Sequence, residues 1–94
     1  MKITGIIWLR SVANKLLEKH RVEQTEVEDV FDAQPRIRRI QRGDVAGEDL
    51  YSALGRTSAG RYLIVFFIRK SANTALILSA RDMDEKERQR YERK

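Results

Sequence analysis

Gly60-Arg61-Tyr62-Leu63-Ile64-Val65-Phe66-Phe67-Ile68-Arg69, followed after the turn Ser71-Ala72-Asn73 by Thr74-Ala75-Leu76-Ile77-Leu78-Ser79-Ala80, is the stretch that decides the fold. Both segments are short and largely apolar, and turn residues bound them, which predicts two neighbouring buried strands. Upstream, Asp49 to Gly55 reads as a further strand, joined to Arg61 by the hairpin-length loop Arg56-Thr57-Ser58-Ala59-Gly60. Arg36 to Arg42 is the weakest strand candidate, and Gly43-Asp44-Val45-Ala46-Gly47 is a turn-rich connection.

Helical signals flank this strand-rich centre. Ile3 to Trp8 is a short apolar opening, and Arg10 to His20 then has helical spacing, with Leu9, Ala13, Leu16 and His20 on one face. A second helix is predicted from near Thr25, because Thr25-Glu26-Val27-Glu28 has capping-box form, and Val27, Val30 and Phe31 make its apolar face. It must stop before Pro35, whose ring disfavours the α region at Gln34. Asp84-Glu85-Lys86-Glu87 opens a final helix with an acidic cap, and Asp84 with Arg88 makes an i,i+4 pair. Two helices, an antiparallel meander and a closing helix make an α+β fold in one domain, residues 1–94.

Composition restricts the chemistry. The chain has 94 residues, no cysteine and one histidine, so no thiolate can act as nucleophile, and any metal site would need carboxylates around His20. No such cluster stands out, and no metal or cofactor is expected. The apolar run Tyr62 to Ile68 is far short of a membrane span, Met1 to Leu9 lacks the form of a signal peptide, and a cytoplasmic protein without membrane contact is expected. The net charge of +5 is lopsided: residues 51–94 hold ten Lys/Arg against five Asp/Glu, while residues 1–50 balance nine against nine. A basic strand-rich half is the footprint of a polyanion partner, although an acidic protein would also suit it.

Candidate functional residues follow from that charge. Arg36, Arg38, Arg39 and Arg42 could track a phosphate backbone, or could protect an edge strand from aggregation. Arg56, Arg61, Arg81 and Arg88 stand where strands start and stop, and guanidinium forks match phosphates. Arg81 could equally serve a structural ion pair, with Glu48, Asp82 and Glu87 available as partners. His20 is either a general base near neutral pH or a core-edge histidine bonded to a backbone carbonyl. Tyr91, four residues after Glu87, is expected to help dock the last helix.

Trp8, Lys19-His20 followed by Val22, Val30-Phe31, Glu48, Gly55, Gly60-Arg61, Ser79-Ala80-Arg81 and Glu87-Arg88 with Tyr91 occur in an order and spacing that resemble the BrnT toxins of bacterial type II toxin–antitoxin systems, within the RelE-like ribonucleases. The resemblance runs from about Ile6 to Tyr91. It implies an antiparallel sheet of about four strands packed on two N-terminal helices and a short C-terminal helix. It also implies a toxin that cleaves RNA, free or on the ribosome, and so stops translation. The partner implied is a BrnA-like antitoxin, through which alone the pair would meet operator DNA. By the resemblance, Lys19, His20, Arg61 and Arg81 are catalytic, and Glu48, Arg88 and Tyr91 bind RNA, to which Arg56 is added on its charge and place at a strand end. A metal-independent mechanism fits, because the RNA 2′-hydroxyl is itself a nucleophile. Arg61 and Arg81 would then stabilise the phosphorane, with His20 or Glu48 as the base.

Three positions depart from the family pattern: Arg21 stands where glycine is usual, and Asp49 and Leu76 where arginine is usual. A non-catalytic RNA-binding or antitoxin-binding module is the alternative the same residues allow.

Overall fold

In the computed structural model, which describes residues 1–93, the strands are β1 (Gly5–Ile7), β2 (Arg36–Gln41), β3 (Leu50–Arg56), β4 (Tyr62–Ser71) and β5 (Thr74–Asp82). The helices are α1 (Arg10–Lys15), which continues as π-helical turns over Leu16–His20, α2 (Gln24–Asp32) and α3 (Glu85–Glu92). The sheet order is β1-β5-β4-β3-β2. Strands β2 to β5 form the expected antiparallel meander, and β1 adds a parallel edge against β5.

One sheet face is the core. Leu63, Val65 and Phe67 of β4 alternate inward beside Ala53, Ala75, Ile77 and Ala80, and meet Leu16, Val22, Val27, Val30 and Phe31 from the helices. Phe67 anchors it, with Phe31 edge-on at 5.3 Å and Tyr51 stacked at 5.6 Å. Each such aromatic pair contributes about 0.5–1.5 kcal/mol beyond area burial. A bulge in the β4–β5 ladder, between Phe66 and Phe67 on β4, leaves Leu78 without a cross-strand partner and 40% exposed.

Helix boundaries differ from expectation in two places. Helix α2 starts earlier than Thr25: Glu23 is its N-cap, and the Glu26 side chain accepts the Glu23 N–H at 3.0 Å. A carboxylate reaching back to the N-cap amide makes the box, and Glu26 can do so only from N3 of a helix beginning at Gln24. Leu9 lies at the N-cap of α1 and is 48% exposed, so the buried contact of that segment comes from Leu16. Asp84 caps α3 as expected, accepting from the Glu87 N–H at 2.8 Å. Arg88, however, pairs with Glu92 at 3.6 Å rather than with Asp84.

Candidate functional site

The β3–β4 hairpin places the Gly60-Arg61 pair. The Thr57 N–H donates to the Arg61 carbonyl at 2.9 Å, and the Arg61 N–H donates to the Thr57 hydroxyl at 3.0 Å. Gly60 turns the chain at φ +93°, a region that L side chains rarely adopt. Ser58 anchors the loop to α2, its N–H and hydroxyl donating to one Asp29 oxygen at 3.1 and 2.8 Å. Those bonds hold the Asp29 carboxyl below its ordinary range.

Arg61 reaches the core-side helices. Its guanidinium donates to Asp82 at 2.7 Å, to Glu26 at 3.1 Å, and to the carbonyls of Arg21 at 2.7 Å and His20 at 3.0 Å. It thereby closes the exposed carbonyl end of the π-helical turns, where orphan acceptors need partners. The hydrogen bond from Arg61 depresses the Asp82 carboxyl against the opposing effect of burial, and the nearby charge of His20 pushes the same way. Arg21 itself lies in the left-handed region, φ 54° and ψ 37°, as the residue that ends these turns. Glycine adopts that conformation without the cost a Cβ carries.

Arg81 faces the other way. It is opposite Ile64 in the ladder, while Asp82 is opposite Leu63, so alternation sends Arg61 and Asp82 to the core side and Arg81 to the side crossed by α3. There it pairs with both Glu87 oxygens, at 2.8 and 2.9 Å, and lies over the Phe66 ring. The bidentate bond to Arg81 is the main cause holding Glu87 below the ordinary carboxylate range. Beside it, the guanidinium carbons of Arg56 and Arg88 lie 4.6 and 3.9 Å from the Tyr62 ring centre, and Tyr91 meets that ring edge-on at 5.9 Å. Tyr91 therefore docks α3 as expected.

Lys19, His20, Arg56, Arg61, Arg81, Arg88 and Tyr91 thus gather at one end of the sheet, divided between its two faces. Glu48 is not with them. It lies beyond the opposite end of β3, about 20 Å along the strand, and accepts a hydrogen bond from Lys70 at 3.0 Å. Asp49 in the same loop accepts the Gly43 N–H at 2.8 Å and pairs with Arg39 at 3.5 Å. Leu76 is flanked by Ile68 and Ile7 across its two ladders. Glu26 and Tyr62 join the site unannounced by the sequence. Glu26 was legible only as part of a helix start and Tyr62 only as a strand residue, because Arg61 and Tyr91 lie 35 and 29 residues away from them in the chain.

A family model described as the ribonuclease toxin, BrnT, of type II toxin–antitoxin systems matches residues 8–87. No curated protein sequence matches the chain. Among solved structures, the Brucella abortus ribonuclease toxin, BrnT, superposes with a TM-score of 0.61 at 15% identity, covering 87% of this chain and all of that one. That likeness is one of fold.

Proposed function

The chain belongs to the BrnT family of ribonuclease toxins of type II toxin–antitoxin systems, and from that membership we propose that it is an endoribonuclease. It cleaves RNA without a metal ion, stops translation in the cytoplasm, and is neutralised by a BrnA-like antitoxin that carries the operator-binding segment. Membership in a two-component family implies an antitoxin partner. No described helix is long and apolar enough to cross a membrane.

One observation carries the chemistry: His20 stands at the end of a helix whose last carbonyls Arg61 holds in place, close enough to Asp82 to influence its charge. Of the two candidate bases, His20 is at the sheet end where the cations gather, whereas Glu48 is at the other end and paired with Lys70. His20 takes the proton of the RNA 2′-hydroxyl as that oxygen attacks the adjacent phosphorus. The bond from phosphorus to the 5′ oxygen breaks to leave a 2′,3′-cyclic phosphate, and water gives the leaving 5′ oxygen its proton. Lys19, exposed beside His20, stabilises the developing negative charge. Arg61 already donates to four groups, so its role is to position His20.

The test is cleavage of RNA in EDTA by wild type and His20→Ala. The Arg61 bond goes to the His20 backbone carbonyl, so this variant keeps the helix end intact. Cleavage should slow by about 10²–10⁴-fold at unchanged melting temperature, the range of general acid–base catalysis. Equal rates would remove His20 from the reaction.

A second reading has its own support. Arg61 and Arg81 are both neutralised by carboxylates, which suits a binding module that holds RNA or antitoxin without cutting. Intact RNA in the same assay, with salt-sensitive binding, would favour it.

A further inference from the structure

On the sheet face that α3 crosses, Leu54 underlies a cavity of about 160 Å³, whose other walls are Arg36, Ile37, Arg38 and Arg90. Leu54 is 2% exposed, so the cavity has an apolar floor with three arginine side chains around it. Arg36 stands across from Leu54 and Arg38 across from Ser52 in the β2–β3 ladder, while Arg90 comes from the last turn of α3. Among the described residues, none of these three arginines is paired with a carboxylate, whereas Arg39, Arg61 and Arg81 all are. Arg90 feels the charge of Glu87, but both Glu87 oxygens are taken by Arg81.

Protection of an edge strand would account for Arg36 and Arg38. It does not account for Arg90, which arrives from a different element on the same apolar floor. Three like charges that line one cavity repel one another, and an anion seated among them removes that cost. The cavity is smaller than the roughly 300–1,000 Å³ that drug-sized ligands occupy, and it suits a single anionic group. Its place favours a nucleic acid over an acidic protein segment. Arg56, on the same face of β3, is two residues beyond Leu54, about 7 Å along the strand, and Arg88 lies beside it over Tyr62. These cations, of which among the described residues Arg88 alone is paired, with Glu92, therefore run as a track from the cavity to the end of the sheet where His20 sits.

We propose that Arg36, Arg38 and Arg90 form a secondary phosphate pocket over Leu54, which grips the RNA backbone about one nucleotide step from Arg56 and so sets the path of the strand toward the sheet end. The pocket rests on the proposal that the substrate is RNA, but not on cleavage.

The experiment measures binding of a fluorescein-labelled 2′-O-methyl RNA oligonucleotide by anisotropy across a salt titration. The methyl group blocks the nucleophile, so the probe stays whole whether or not the chain is a nuclease. Arg36→Gln/Arg38→Gln/Arg90→Gln is compared with Lys2→Gln/Arg10→Gln/Lys15→Gln, which removes the same charge from exposed positions elsewhere, both at wild-type melting temperature. Each phosphate contact to a single strand contributes about 0.7 to the slope of log affinity against log salt, so the pocket variant, which loses one phosphate, should be shallower by about 0.7. The control variant should keep most of the wild-type slope. Equal loss in both variants would mean a general charge effect and overturn the pocket. A wild-type slope in the pocket variant would also overturn it, leaving these arginines to an acidic protein partner. Failure of the wild type to bind the probe would overturn the RNA substrate and the pocket together.

Discussion

Arg21→Gly should stabilise this protein, against the usual direction of a point substitution. Arg21 holds φ 54° and ψ 37°, where a Cβ crowds the following carbonyl. That crowding costs about 1–2 kcal/mol for a residue other than glycine. Glycine gives back about 0.4–1 kcal/mol through the greater freedom of the unfolded chain. The difference is a net gain of about 0.5–1 kcal/mol, which raises Tm by about 2–8 °C for a domain of this size. Arg61 binds the Arg21 carbonyl, which the substitution keeps, and the Arg21 side chain makes no ion pair among the described residues. Thermal unfolding followed by circular dichroism measures the change, with Arg21→Ala as the control. Alanine keeps the Cβ and removes the charge, so it should leave Tm within about 2 °C of wild type. Equal stabilisation by alanine and glycine would show that charge, not backbone conformation, is responsible. A fall in Tm with glycine would refute the strain outright.

Two further outcomes follow from the ion pairs at the sheet end. Arg61→Ala loses hydrogen bonds worth about 0.5–1.5 kcal/mol each. With the Asp82 contact discounted, because that side chain is 65% exposed, about 2–3 kcal/mol is lost and Tm falls by about 10–20 °C. Scanning fluorimetry should show this before any activity is compared, and a fall below about 4 °C would mean these bonds do not hold in solution. Asp82 and Glu87 both titrate below their ordinary values in the folded chain, so their pairs stabilise it above the ordinary carboxylate range and lose that effect as pH falls through the depressed values. Glu87→Gln keeps the cap of α3 but not the charge, so its Tm should decline less than wild type's between pH 5 and pH 3. Parallel declines would show that the Arg81–Glu87 pair adds nothing to folding.

Much of the fold was legible because its signals are local. The apolar runs of β4 and β5, the Asp84 cap and the stop before Pro35 each depend on a few adjacent residues. Signals that compete at one place were harder to separate: Thr25 with Glu28 and Glu23 with Glu26 both have the spacing of a box, and the second is the one that forms. Gln34 was expected to leave the α region before Pro35, and it does so at φ 54°, in the left-handed region.

The sequence by itself determined a basic α+β chain, its family, and the residue types that could handle an anion, because composition and local periodicity persist whatever the chain's path. Only the tertiary structure decided which of those residues meet. The faces of Arg61 and Arg81 depend on the β4–β5 register, the pairing of β1 with β5 joins segments some seventy residues apart in register, and the separation of Glu48 follows from the direction of β3. Register and pairing are set by which apolar faces bury together, a non-local balance that no short window of residues contains.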